Sequence, residues 1–264
     1  MFKKLTILSI YTILYNESYY ILYTMNNLIL VRHGQSIWNL EKRFTGWTDV
    51  DLTEKGKSEA KYAGHLIDKT NIKFDAYFAS FQKRAINTLE IILDVLNKTG
   101  IEIKKAWQLN ERHYGALTGL NKNEMVKKHG ENQVHIWRRS FDIAPPPMEK
   151  THPYHISKIK TYANIPQENI PNTESLKNTF ERVLPYYEGE IAPLLASHKN
   201  ILIVAHGNSL RALCKKLLNI SNNKIVDFEI PTGNPLLINF DENFKIVKYE
   251  YLDVKRAKNI FFNV

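Results

Sequence analysis

Leu28-Ile29-Leu30-Val31-Arg32-His33-Gly34-Gln35-Ser36 and, far downstream, Ile201-Leu202-Ile203-Val204-Ala205-His206-Gly207-Asn208-Ser209 share one pattern. Each is an apolar run that ends in His-Gly-x-Ser and opens into a helical spacing of apolar residues. A continuous Val/Ile/Leu run without polar alternation predicts a strand buried on both faces, as in a parallel sheet. Open parallel sheets bind ligands beyond the carboxyl ends of their strands, where both His-Gly pairs fall. Each Gly permits a tight turn, and the amides that follow sit at a helix N-terminus, which attracts anions. Two imidazoles, Arg32 and two helix N-termini at one end of a sheet predict a site that handles phosphoryl groups. His-Gly alone is ordinary turn chemistry. Its repetition at two strand ends, with Arg32 beside one of them, is what argues for function.

Outward from these strands, residues 36–43 read as a short helix and 44–51 as a turn-rich loop. Thr53 caps a helix that runs to about residue 68, with Glu54 well placed in its first turn. Residues 75–80 read as a second strand and 103–109 as a third. Between them, 83–98 carry Ile86, Leu89, Ile92, Leu93 and Leu96 at helical spacing, ended by Gly100. Residues 175–195 read as a helix bent or restarted at Pro185 and Pro193. Residues 236–240 and 246–252 close the domain as an antiparallel pair joined through Asp241-Glu242-Asn243. This alternation predicts an α/β fold, a three-layer sandwich with a mostly parallel central sheet and helices on both faces. Between 112 and 172 the patterning gives way to Pro145-Pro146-Pro147, further prolines and Trp137-Arg138-Arg139. A long insertion with little regular structure is either plain surface loop or a cover over a site.

The chain has 264 residues, 44% of them hydrophobic, enough for one large core. Its net charge of +9 suits a small polyanionic substrate, and equally nucleic acid or an acidic membrane surface. The lysines are scattered, with no RNA-binding signature, finger spacing or long basic run, so nucleic acid is not expected as a partner. Cys214, the one cysteine, cannot form an internal disulfide and is expected to pack as a small apolar residue within a helix. Lys3 and Lys4 precede an apolar run over residues 5–15, a length found in signal-peptide cores. Asn16-Glu17-Ser18 interrupts it, no Ala-x-Ala-like cleavage site follows, and it is shorter than the roughly 20 residues that span a bilayer. Met25-Asn26-Asn27 directly precedes the first core strand, as an initiator would. Residues 1–25 are therefore read as a dispensable extension or a targeting segment. Residues 26–254 are the domain, with its cover near 112–172, and 255–264 a tail; no membrane association is expected of the domain.

A neutral imidazole can attack phosphorus and leave again, splitting one difficult transfer into two easier ones. The moving group spreads negative charge over its oxygens, so catalysis is mostly positioning by cations and N–H donors. His33 is the candidate nucleophile. Arg32 and Arg84, the latter just after the second strand, offer planar forks to the oxygens, and His206 donates from the neighbouring strand. Glu111, in Leu109-Asn110-Glu111-Arg112, is the carboxyl group chosen as general acid and base.

Leu30-Val31-Arg32-His33-Gly34-Gln35-Ser36-Ile37-Trp38-Asn39 resembles the phosphohistidine motif of the histidine phosphatase superfamily. Within it, the chain resembles the 2,3-bisphosphoglycerate-dependent phosphoglycerate mutases. The matching blocks are Arg43-Phe44-Thr45-Gly46-Trp47, Leu109 to Leu117, Trp137-Arg138-Arg139-Ser140-Phe141, Ala205-His206-Gly207-Asn208-Ser209-Leu210-Arg211 and Ile230-Pro231-Thr232-Gly233-Asn234-Pro235. The resemblance implies interconversion of 3-phosphoglycerate and 2-phosphoglycerate through a phosphohistidine, primed by 2,3-bisphosphoglycerate and needing no metal. It implies that His33 carries the phosphoryl group among Arg32, Arg84 and His206, with Glu111 as proton donor. Ser36, Asn39, Thr45 and Gly46 would contact phosphate or substrate. Tyr114, Lys122, Arg138, Arg139, Gly207 and Asn208 would hold the carboxylate and second phosphate. A cytoplasmic homo-oligomer, dimer or tetramer, working in glycolysis and gluconeogenesis is implied as well.

The sequence departs from the family at its end, where Ala257-Lys258-Asn259-Ile260-Phe261-Phe262-Asn263-Val264 replaces a longer Ala- and Lys-rich tail. That shifts the expectation towards some phosphatase activity. A broad phosphomonoesterase using His33 is the alternative enzyme, and a non-catalytic phospho-ligand-binding protein the alternative outside enzymes. Arg138 and Arg139 in a cover speak against the first, and an acid opposite a nucleophile against the second. His152 and His155 form an H-x-x-H pair without acidic or cysteine companions, so no metal site is read there.

Overall fold

β1 (Asn26–Arg32) and β4 (Ile201–Ala205) lie side by side and parallel, Leu28 opposite Ile201 and Arg32 opposite Ala205. They belong to a computed structural model that describes residues 26–257. The expectations for residues 1–25 and for the tail from Lys258 onward lie outside the described residues. Leu28 to Val31 and all of β4 are fully buried, because alternate side chains serve two different cores. Leu28, Leu30, Ile201 and Ile203 pack with Leu176 and Val183 of α6 (Leu176–Tyr186) and with Leu210 and Leu213 of α8 (Gly207–Leu217). Ile29, Val31, Leu202 and Val204 pack instead on Ala63 and Ile67 of α2 (Glu54–Asp68) and on Leu89 and Ile92 of α3 (Lys83–Val95). That division is the three-layer sandwich.

The sheet runs β3-β2-β4-β1-β5-β6. β2 (Ala76–Ala79) and β3 (Ile103–Lys105) continue the parallel set, while β5 (Leu236–Phe240) and β6 (Ile246–Tyr251) are antiparallel. The expected mostly parallel sheet is therefore present. Cys214 is buried and free, packed in the first core as expected.

Several boundaries differ from the sequence reading. The third strand stops at Lys105, and Trp107–Leu109 is a 3-10 turn, so Glu111 follows a turn rather than a strand. α1 is only Ile37–Leu40, with Ser36 as its cap. After α6 the chain makes a single π turn (Tyr187–Ile191) before α7 (Ala192–Ala196), and Pro193 sits in the first turn of α7, where a missing N–H costs nothing.

The larger correction concerns residues 112–172, which are not devoid of regular structure. They hold α4 (Lys122–His129), α5 (Glu131–Arg139) and several 3-10 turns. Gly130, at φ +84, separates the two helices. The segment builds small cores of its own. Leu117, Met125 and Val134 close on Phe44, while Ile156, Tyr162 and Ile165 close on Trp47. The short helices escape a sequence reading because their few apolar residues face Phe44 rather than a sheet.

Candidate active site

β1 and β4 end level with one another, so the residues after them meet. The backbone N–H of His33 donates to the carbonyl of Ala205 at 3.0 Å, and the His33 and His206 rings become neighbours. Gly34 and Gly207 do not take left-handed φ angles, so neither serves an unusual turn, and Gly34 serves close approach. A Cβ on Gly34 would stand 2.1 Å from the carbonyl oxygen of Gly56 in α2, and the loop after β1 therefore lies flush on that helix. A Cβ on Gly207 would stand 3.4 Å from Cζ of Arg32, an ordinary contact, so the guanidinium lies over the start of α8 without needing a glycine there.

His33 Nδ1 donates to the carbonyl of Gly34 at 2.7 Å. A neutral ring so engaged leaves Nε2 as the nitrogen with a free lone pair. Burial, then the nearby Arg84 and Arg32 charges, hold the His33 pKa well below the ordinary histidine value. His206 is lowered likewise, by burial and then by Arg84 and His33. The Ser80 hydroxyl accepts from Gln82 N–H at 3.1 Å and lies 2.7 Å from His206 Nε2. With the hydroxyl proton directed to Nε2, His206 carries its hydrogen on Nδ1, which is buried without a protein partner. One ring is thus poised to attack and the other to donate.

Arg84 donates to the carbonyls of Thr48 and Gly46 at 2.9 and 3.0 Å. Gln82 Nε2 reaches the same Gly46 carbonyl at 2.9 Å, while its Oε1 accepts Glu111 N–H at 2.9 Å. Buried Gln82 therefore ties the loop of Thr45 and Gly46 to the Glu111 segment. The Glu111 carboxylate accepts N–H groups of Arg112 at 2.8 Å and of Asn208 at 3.2 Å. It thus takes an amide from the first turn of α8, where a negative group is favoured.

These groups adjoin a cavity of about 220 Å³. Arg32, Asn39, Thr45, Glu111, Tyr114, Lys122, Arg138, Arg139, Gly207 and Asn208 line it. His33, Arg84 and His206 are buried next to Arg32 and Gly207 and do not line it. Ser36 and Gly46 do not line it either. Ser36 forms a capping box with Asn39, so the N-terminus of α1 is already satisfied, and Gly46 offers its carbonyl to Gln82 and Arg84.

The cavity is crowded with cations. Burial and then Arg138 and Arg32 lower Lys122 to about 8, with Tyr114 and Glu111 acting the other way. Burial would raise the Tyr114 phenol, but Arg112, stacked 4.7 Å from its ring, and Lys122 bring it down to about 8. Arg211 is lowered to about 9, by burial and then by Arg139 and Arg112. Arg43, Arg211, Glu229 and Ile230 complete the lining. Sequence reasoning assigned none of these a role, nor Gln82, Arg112, Glu174 and Arg182 in the shell behind. For Arg211 a signal existed: it stands three residues after Asn208 on α8 and donates to its Oδ1 at 2.8 Å. His152 and His155 make local contacts with Tyr154 and Ser157. Among the described residues, no three His, Cys, Asp or Glu cluster as metal ligands would.

A family model for the histidine phosphatase superfamily (branch 1) matches residues 28–250. A 2,3-bisphosphoglycerate-dependent phosphoglycerate mutase of Pelagibacter ubique (strain HTCC1062) is 59% identical over 236 residues, covering 89% of this chain and 99% of that protein. The enzyme of the same name from Hyphomonas neptunium (strain ATCC 15444) is 52% identical over 236 residues, covering 89% and 98%. Among solved structures, a mycobacterial hydrolase matches with a TM-score of 0.64 at 20% identity, covering 89% of this chain and 99% of its own, a likeness of fold.

Proposed function

The chain belongs to branch 1 of the histidine phosphatase superfamily, and on that premise we propose that it is a phosphoglycerate mutase. It is an isomerase that interconverts 3-phosphoglycerate and 2-phosphoglycerate. One observation carries this reading: the cavity runs from Arg32 and Gly207, the chain neighbours of buried His33 and His206, to Lys122, Arg138 and Arg139 of the cover, with Glu111 on its wall. A simple phosphomonoester needs the first group alone. A substrate with a phosphate and a carboxylate needs both.

His33 Nε2, neutral and buried, attacks phosphorus, while Arg32 and His206 Nδ1–H receive the negative charge that spreads over the oxygens. Glu111 takes the proton of an incoming hydroxyl or returns it to a departing one. The cover excludes water while His33 is phosphorylated, which separates transfer from hydrolysis. The residues also fit 2,3-bisphosphoglycerate. Arg32 Nε and Arg211 Nε on the cavity wall, and His206 Nδ1 beside it, are buried without protein partners, a donor set matched to a ligand with several anionic groups. When bound, that ligand supplies the phosphoryl group that primes His33. A cytoplasmic homo-oligomer belongs to the same proposal. Among the described residues no helix is long and apolar enough to cross a membrane.

The test is incubation with 2,3-bisphosphoglycerate, followed by mass-spectrometric mapping of the acid-labile phosphoryl group and an assay of 3-phosphoglycerate turnover. Label is expected on His33, and His33→Ala should lose label and turnover while keeping its fold. Stable label on His206 or on a serine would overturn the assignment.

A further inference from the structure

Two acidic side chains line this cationic cavity, Glu111 and Glu229. The first has its work in proton transfer; the second has none in the reaction as described. The Glu229 main chain is fixed to the body of the domain. Its carbonyl accepts the Tyr251 hydroxyl at 3.1 Å, the next carbonyl, of Ile230, accepts Arg32 Nη1 at 3.0 Å, and Phe228 and Ile230 are buried on either side. From this fixed base the side chain pairs with Arg139, the last residue of α5 in the cover. The two side chains remain 34% and 21% exposed, so water reaches the pair and it is weak and exchangeable, unlike a sealed ion pair.

We propose that Glu229 is a resident competitor for the anion site: its carboxylate occupies Arg139 and ties α5 to the body until the second anionic group of a ligand displaces it. The inference rests on the anionic substrate argued above. A guanidinium exchanges one carboxylate for another carboxylate or a phosphate without changing its geometry. After the exchange Glu229 is still beside the cavity, so the ligand binds against a like charge. Affinity is then a difference between two anions competing for Arg139. The device favours ligands with two anionic groups, since one that reaches only the His33 region leaves the pair closed. It also helps product leave, because the displaced carboxylate returns to Arg139. A bridge that merely positioned Arg139 would have the opposite sign on affinity.

The test is Glu229→Gln, which keeps shape and removes charge. Calorimetric titration with 3-phosphoglycerate should show binding about two- to fivefold tighter than wild type, the size expected of a partly exposed ion pair. Inorganic phosphate, with one anionic group, should change much less. Unchanged or weaker 3-phosphoglycerate binding in a variant with wild-type melting temperature would overturn the proposal. If wild type binds no phosphoglycerate and takes no label, the functional reading has failed by itself, and a ligand-free measurement still decides this one. Hydrogen exchange across residues 134–139 should be faster in Glu229→Gln than in wild type, and equal rates would overturn the tie. Should the variant fold poorly, wild type in added salt gives the same reading: screening should speed exchange in α5, and indifference to salt would count against the pair.

Discussion

The imidazoles of His33 and His206 stand with ring centroids 4.9 Å apart and ring planes 60° from one another. Burial leaves charge on either ring poorly solvated, and Arg84 and Arg32 would repel it. The consequence is a pair that stays neutral, His33 held through Nδ1 on the Gly34 carbonyl and His206 through Nε2 on the Ser80 hydroxyl.

This neutrality has a cost in acid. Along with these two rings, burial lowers His113 to about 4 from 6.5, with Arg182 adding to burial and Glu174 opposing it. Well above pH 6.5 the folded and unfolded chains bind the same number of protons at these histidines. Below it the unfolded rings take up protons that the folded ones refuse, so stability falls as pH falls. The His113 share is lost between about 6.5 and about 4 and levels off below. Denaturant unfolding at a series of pH values should show this decline, and His113→Gln should make it shallower. A profile flat through that window would mean that the folded histidines titrate normally.

Glu111 sits where an acid can serve both the His33 region and the cavity. Glu111→Gln keeps an oxygen for the N–H groups of Arg112 and Asn208 and removes the titrating proton. The kcat should then fall by about 10²- to 10⁴-fold, a usual general-acid contribution, with melting temperature little changed. A variant with near-normal kcat would require another proton carrier, Tyr114 being the obvious one to test next.

The strand ends were legible in the sequence because a doubly buried parallel strand and its His-Gly exit are local features of the chain. Arg32, His33 and His206 follow from them directly. The helices α4 and α5 were not legible, because their short apolar sets, such as Val134 with Trp137, face Phe44 rather than a continuous core. Gln82 was invisible for a different reason. A glutamine earns no notice until both ends of its amide are seen, one on Gly46 and the other on Glu111. The same holds for Glu229, whose position beside Arg139 depends on how β6 and the cover come together through Tyr251 and α5. Residue types and spacing located the reacting groups, whereas long-range contacts determined what holds them.

Arg139 offers a direct measure of substrate discrimination. It lines the cavity from the end of α5, at a distance along the chain from every reacting group. Arg139→Ala should raise KM for 3-phosphoglycerate several-fold more than KM for p-nitrophenyl phosphate, which has a phosphate and no second anion. Equal changes for the two substrates would show that the cover arginines do not select between them.

Behind the site, Arg182 and Glu174 form the most deeply buried ion pair among the described residues, with side chains 10% and 3% exposed. Arg182 Nε donates to Glu174 at 2.6 Å, and Nη2 reaches the carbonyls of Asn110 and Glu111 at 3.0 and 3.1 Å. The Glu174 carboxylate in turn accepts His113 N–H at 2.7 Å. The pair therefore fixes the backbone on both sides of Glu111 after the strand has ended at Lys105, a segment with no sheet to hold it. Replacing Arg182 with Met strands a buried carboxylate, which typically costs about 3–5 kcal/mol. Changing Glu174 to Gln in the same chain removes that charge and should restore part of the stability. It should not restore kcat, because the carbonyls of Asn110 and Glu111 still lack their donor and the Glu111 carboxyl loses its placement. Chemical denaturation of the single and double variants, with kcat measured on each, separates the two effects. Recovery of kcat together with stability in the double variant would show that Arg182 balances charge and does not position Glu111.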